Sequence, residues 1–215
     1  MDWKKELQAG VEHIRASDAH LAPLIERYGL PTFTPHKNYY QELVESIISQ
    51  QLSVKAAATI LKRFIALFDH FPTPEEILSK DFDELRSAGL SGQKTGYIRD
   101  LAEHVIEGRV RFDHLDQLAN EEIIAELTDV KGIGEWTVHM FLMFCMGRLD
   151  VLAYGDLGIR TGIMRLYRLD ALPDKKMVEH IAHVNAWHPY ASVACWYVWK
   201  ALDNEPPVQE RTIEV

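Results

Sequence analysis

Between Glu121 and Tyr167 the chain reads EEIIAELTDVKGIGEWTVHMFLMFCMGRLDVLAYGDLGIRTGIMRLY, and two apolar rhythms of helical period meet there at a glycine-punctuated turn. Ile123, Ile124 and Leu127 recur on one helical face before the turn; Val138, Phe141, Leu142 and Cys145 do so after it. The turn itself is Val130-Lys131-Gly132-Ile133-Gly134-Glu135-Trp136-Thr137. Gly132 and Gly134 permit positive φ and a close backbone approach. A helix that starts just after such a turn directs its unbonded N–H groups and positive dipole end outward, a setting suited to an anion. An ordinary αα-hairpin carries the same signature. What separates the two readings lies downstream, where Asp156 falls in a short loop just ahead of a helical run through Ile163, Leu166 and Tyr167.

The rest of the chain keeps the helical period, and nothing alternates convincingly at period two. The periodicity predicts one or two amphipathic helices over 1–30, a Pro-rich linker at 30–35, and helices over 39–49 and 53–68 joined by Ser49-Gln50-Gln51-Leu52-Ser53. Short helices follow near 75 and over 81–88, then a long one through Tyr97, Ile98, Leu101 and Val105. The hairpin pair comes next, then the helix after Asp156, and helices over about 174–185 and 189–202. The expected class is all-α, with about ten helices.

At 215 residues the chain can bury a sizeable core. Its two cysteines, Cys145 and Cys195, lie in apolar segments, which argues for a reducing, cytoplasmic setting and against a disulfide framework. They are also too few for a four-cysteine iron–sulfur cluster. No stretch is long enough to span a bilayer, so no membrane partner is expected. With 23 basic and 32 acidic residues the net charge is −9, which speaks against a nucleic-acid binder. Acidic groups concentrate in 69–84 and 203–215, however, whereas the hairpin and the segment after it carry Lys131, Arg148, Arg160, Arg165 and Arg168. A locally basic face sets the local field, and it predicts weak, salt-dependent binding.

The Gly-Ile-Gly-x-Trp-Thr hairpin, the twenty-residue step from Trp136 to Asp156 and the aromatic segment from Trp187 to Trp199 resemble the helix-hairpin-helix/Gly-Pro-Asp superfamily of DNA glycosylases, within it the 3-methyladenine DNA glycosylase II (AlkA-type) branch. The likeness runs from about Tyr39 to Leu202, although Ala153-Tyr154-Gly155 replaces the family's proline loop. It implies one compact glycosylase unit over 1–215 without the branch's extra N-terminal β-containing domain. Two lobes are expected with an active-site cleft between them: about 39–115 with the joint at 49–53, and about 116–202 with helices of 1–38, carrying the hairpin and Asp156. It further implies a monomer acting on double-stranded DNA that contains alkylated bases, nucleoid-associated when bound.

By this resemblance Asp156 is the catalytic carboxylate, stabilising positive charge on the sugar as the N-glycosidic bond lengthens; read without the hairpin, it is a helix cap, and both roles can coexist. Trp136 stands where bifunctional relatives carry a Schiff-base lysine, which implies a water nucleophile and no strand cleavage. Cationic alkylpurines suit an aromatic pocket, with Trp136 and Trp196 at aromatic positions, Tyr154 and Trp187 as neighbouring candidates, and Met140 and Leu157 where the best-known member has tyrosines. Core packing is the competing reading for each tryptophan. Gln51, with Leu52 adjacent, falls at the position of the wedge that fills the vacated stack; the competing reading has Leu52 packing inward. Gly132, Gly134, Thr137 and Lys131 are candidates for holding a phosphate. The resemblance also implies a Na⁺ or K⁺ on the carbonyls of Thr128, Val130 and Ile133, with no other cofactor. A zinc site at His180, His183 and His188 lacks a fourth ligand and ligand-rich spacing. The alternatives are a non-catalytic helix-hairpin-helix DNA-binding protein, a glycosylase for oxidised or mismatched bases, and an α-helical interaction protein that binds no nucleic acid.

Overall fold

In a computed structural model of the protein, which describes residues 2–202, every regular element is helical. Twelve α-helices are joined by a 3₁₀ turn at Leu115–Gln117 and a π-helix at Phe141–Cys145, in keeping with the all-α expectation. No helix among the described residues is long and apolar enough to cross a membrane. The acidic stretch 203–215 lies outside the described residues.

The chain forms two compact units. Of the described residues, one comprises 2–33 and 148–202, the other 34–147. The hairpin therefore groups with the helices of 39–115, and not with the C-terminal ones as expected. The reason is local: α8 (Asn120–Thr128) and α9 (Glu135–Met140) pack on each other, and the turn between them is bonded to Gln50 and Asp100 of the same unit.

In the 34–147 unit, α3 (Tyr39–Ser49) buries Tyr39, Leu43, Val44, Ile47 and Ile48, and packs on α4 (Val54–Ala66), α7 (Gly92–Ile106) and the π-helix. The starts are written in the sequence. Ser53 and Ser91 cap α4 and α7, while Thr73 with Glu76 and Asp81 with Glu84 form capping boxes for α5 (Pro74–Ser79) and α6 (Phe82–Ser87). Both short helices pack on α7.

In the other unit α12 (Ala191–Leu202) is the centre. Eight consecutive residues, Ala191 to Val198, are buried, as expected of a helix surrounded by others. Around it lie α1 (Trp3–Ser17), α2 (Ala22–Tyr28) and α10 (Leu157–Leu166), with α11 (Lys175–Val184) also in this unit. Two glycines one turn apart bring α10 close to α12. A methyl group on Gly162 would sit 2.8 Å from the Val198 carbonyl oxygen, and one on Gly158 would sit 3.0 Å from Nε1 of Trp199. A buried carboxylate, Asp18, is satisfied by the backbone N–H groups of His20 and Leu21, the Tyr167 hydroxyl and the Trp187 indole N–H. Such a group costs several kcal/mol if left unpaired; here every donor comes from its own unit.

Candidate functional site

The turn between α8 and α9 reverses at Gly132, the left-handed residue of the hairpin (φ +84°). The ring of Tyr97 lies so close that a side chain at 132 would overlap it. Val130 N–H donates to the Leu127 carbonyl (3.3 Å) and Ile133 N–H to the Val130 carbonyl (3.1 Å). Gly134 caps α9 with extended geometry (φ −99°, ψ 169°) and open space beside it. Of the two glycines that permit positive φ, only Gly132 uses it. Thr137, at 5% exposure, lies inside the first turn of α9, which takes its hydroxyl off the surface that a phosphate would meet. That correction follows from α9 facing the core on its Thr137, Val138 and His139 side.

Lys131 is anchored. Its amide donates to Asp100 Oδ2 (2.9 Å) and its ammonium to Asp100 Oδ1 (2.7 Å). Burial pushes the Asp100 carboxyl up, but the two Lys131 hydrogen bonds and the neighbouring His104 outweigh it and hold the group below its ordinary range. The hairpin therefore draws stability from this carboxylate above the usual acidic pKa, and loses it as pH falls through the lowered value. Thr128, Val130 and Ile133 present neutral carbonyl oxygens, donors that suit a hard monovalent cation, and Thr128 is the last residue of α8, where carbonyls lack helical partners. The Val130 oxygen already accepts one N–H.

The structure brings the hairpin and the α3–α4 joint together. Gln50 Nε2 donates to the Gly132 carbonyl (2.8 Å), while Lys94 Nζ donates to the Ile48 (2.8 Å) and Gln50 (2.6 Å) carbonyls at the end of α3. Beyond this anchor the joint is exposed. Gln51 sits in left-handed geometry (φ +56°), and Leu52 and Val54 face solvent. An inward-packing Leu52 is thereby excluded. A non-glycine residue in that conformation costs about 1 kcal/mol, so the tip is held in shape by its anchors.

In the other unit Asp156 is the N-cap of α10. Its Oδ1 accepts the Ile159 amide (2.8 Å) and the Trp199 indole N–H (2.8 Å). Leu157, next to it, is 65% exposed. The Tyr154 ring lies under the Lys175 ammonium, 3.9 Å from the ring centroid, so one ring face already carries a cation. Trp187 is fully buried and bonded to Asp18, a correction to its pocket assignment: the indole is a core strut. Trp196 is largely buried, edge-on to Tyr197, with the Lys200 ammonium 5.4 Å from its ring centroid. In the hairpin unit Trp136 is 47% exposed and Met140 half-buried. His180, His183 and His188 are not gathered; His188 Nδ1 instead contacts Asp150 Oδ1 (2.7 Å).

The residue that sequence reasoning missed is Trp199. The only hint was its place three residues after Trp196 in the aromatic run. It holds the carboxylate that Ile159 also holds, and a hydrogen bond to a charged group is worth about 1.5–3 kcal/mol. Trp199→Phe keeps the ring and removes the donor. The expected result is a loss of about 1–3 kcal/mol of stability in chemical denaturation, as the acceptor loses one of its two donors. An unchanged midpoint would show that the indole N–H does not hold the carboxylate.

Comparison with known proteins bears on both units. A profile described as HhH-GPD superfamily base excision DNA repair protein matches residues 44–186. DNA-3-methyladenine glycosylase 1 of Schizosaccharomyces pombe is 39% identical over 197 residues, covering 89% of this chain and 86% of its own. The structure of the S. pombe 3-methyladenine DNA glycosylase Mag1 in complex with abasic DNA is similar at a TM-score of 0.77 and 37% identity, with 89% of this chain and 95% of that one covered. The Bacillus halodurans DNA-3-methyladenine glycosidase structure reaches 0.82 at 41% identity, with coverages of 91% and 89%.

Proposed function

The chain belongs to the HhH-GPD superfamily of base excision DNA repair proteins, and from that premise we propose that Asp156 drives, and the glycine hairpin supports, hydrolytic excision of alkylated purines from duplex DNA. It is an N-glycosyl hydrolase of the DNA-3-methyladenine glycosylase kind. The observation that carries the catalytic assignment is the fixing of Asp156 Oδ1 by two N–H donors at the start of α10. A carboxylate so held needs no reorganisation when positive charge develops on the deoxyribose.

The reaction then runs as follows. The target nucleotide is everted from the stack. Its N-glycosidic bond lengthens, the bonding pair leaves with the base, and an N3- or N7-alkylated purine departs as a neutral molecule. A strong general acid is therefore unnecessary. Asp156 stabilises the sugar cation and orients the water whose oxygen bonds to C1′; the water's proton passes to the carboxylate or to solvent. Trp136 stands on α9 where a lysine would form a Schiff base; its indole cannot, so the strand stays intact with an abasic site. On α9 the exposed Trp136 ring and the half-buried Met140 are the chains we assign to base contact in their unit, and the exposed Leu157 beside Asp156 is the one in the other. A cation held by the carbonyls of Thr128, Val130 and Ile133 would add positive charge beside a phosphate bound at Gly132 and Gly134, with the Lys131 ammonium nearby. Acting on chromosomal DNA, the enzyme works in the cytoplasm, on the nucleoid.

Incubation with methylated duplex DNA tests the activity: free 3-methyladenine and 7-methylguanine are expected, with no covalent complex trapped by borohydride. Absence of both bases would overturn the substrate assignment, and a trapped complex would overturn the role given to Trp136.

The exposed tip of the joint is the wedge. Its side chain replaces stacking lost on eversion, worth a few kcal/mol. Gln51→Gly suits the left-handed backbone and so leaves stability nearly unchanged, while excision from duplex falls about tenfold or more. Leu52→Ala run in parallel assigns the wedge: if only the leucine variant loses duplex activity, Gln51 is not the filler.

A further inference from the structure

At the entry to the 34–147 unit lies a side-chain cluster that the excision reaction does not use. His36, Glu42 and the buried Cys145 each offer one ligand atom, and these three atoms all lie within 4.8 Å of one another. The sulfur is 3.7 Å from His36 Nδ1, and the Glu42 carboxylate is 3.4 Å from His36 Nε2. Zinc with bonds of about 2.3 Å to sulfur and about 2.0 Å to nitrogen has a tetrahedral S···N edge of roughly 3.5 Å. The sulfur–nitrogen pair is thus already close to its ligated spacing.

The backbone fixes this arrangement. His36 N–H donates to the Cys145 carbonyl (2.9 Å), and the thiol sits 3.7 Å from the His36 carbonyl oxygen. Cys145 is the last residue of the π-helix, closed by Met146 N–H on the Phe141 carbonyl (3.0 Å). Widened helical turns of this kind are rare and concentrate at functional sites; here the turn ends on the sulfur. Asn38 N–H approaches His36 Nδ1 at 3.3 Å, a long contact that an ion on that nitrogen would displace. His36 and Glu42 keep side-chain exposures of 41% and 36%, which leaves an entry path and room for a water ligand.

We propose that His36, Glu42 and Cys145 form a site for a thiophilic divalent cation of the zinc class, with water in the fourth position. The ion ties together residues 109 apart in sequence, fastening the segment that leads into α3 to the end of the π-helix. Its role is structural; the ligand set is neither the hairpin's carbonyl oxygens nor any part of the Asp156 site. One thiol proton leaves as each ion binds.

The test uses the full-length, reduced, metal-free protein titrated with cobalt(II) as a spectroscopic probe. One equivalent is expected to give a near-ultraviolet thiolate-to-cobalt charge-transfer band and the strong visible bands of tetrahedral cobalt, both lost on adding zinc. Cys145→Ser abolishes the charge-transfer band, and Cys195→Ser, at the other cysteine, leaves it in place. His36→Asn and Glu42→Gln, at partly exposed positions that the fold tolerates, weaken binding about tenfold or more. Zinc raises the thermal midpoint of the parent and of Cys195→Ser but not of the site variants. The proposal is overturned if no charge-transfer band forms, if the band survives Cys145→Ser, or if both His36→Asn and Glu42→Gln bind as the parent does. No glycosylase assay enters the readout, so either result leaves the excision assignment untouched.

Discussion

Asp156→Asn is expected to lower the rate of 3-methyladenine release by at least about 100-fold, the scale of losing one preorganised electrostatic group, while the thermal midpoint stays within a degree or two of the parent's. Both halves follow from the same atom. Oδ1 accepts the Ile159 amide and the Trp199 indole N–H, and an asparagine side-chain oxygen accepts both in the same geometry; asparagine is as good a helix N-cap as aspartate. What disappears is the negative charge, with the second oxygen becoming an amide nitrogen. Asp156→Ala separates the roles by removing the acceptor as well, which costs the cap about 1 kcal/mol and strands the Trp199 donor. If Asp156→Asn retains near-parental single-turnover rates, the carboxylate is merely a cap and the excision mechanism is wrong.

Gly132→Ala is expected to be among the most damaging single-methyl substitutions in the chain, whereas Gly134→Ala, two residues on, should be nearly silent for stability. At 132 the backbone is left-handed (φ +84°) and the Tyr97 ring occupies the space of a side chain. Left-handed geometry costs an alanine about 1–2 kcal/mol, and forced overpacking about 1–3 kcal/mol more. A loss of roughly 2–5 kcal/mol in chemical denaturation follows, with DNA retention falling as the turn distorts. At 134 the backbone is extended, and nothing lies within 4 Å of a new methyl. Equal losses at the two positions would show that the hairpin does not depend on the left-handed turn.

That contrast marks what the sequence could and could not convey. The helices, their caps at Ser53, Ser91 and Asp174, the position of the turn and the carboxylate at a helix start are local properties, carried by apolar period and by residues three apart. Which glycine reverses the chain depends on Tyr97, thirty-five positions before Gly132. The same holds for Trp187 and Trp199. Both lie in one aromatic run, yet one donates to buried Asp18 and the other to Asp156. Period could not tell them apart: Trp187 lies in the link between α11 and α12, where there is no helical phase to read, and α12 is apolar on every side, so the phase of Trp199 names no outward face. The placement of the hairpin with α3–α7 likewise rests on long-range hydrogen bonds from Gln50 and to Asp100.

One of those bonds has a mechanical meaning. A single amide, Gln50 Nε2 on the Gly132 carbonyl, closes a circuit of 82 residues between the exposed tip and the loop assigned to the sugar–phosphate strand. Under the roles proposed for them, the tip and the turn are geared together through this strut: seating a strand against one would give the other a fixed lever arm, and cutting the strut would part the hold on DNA from the push.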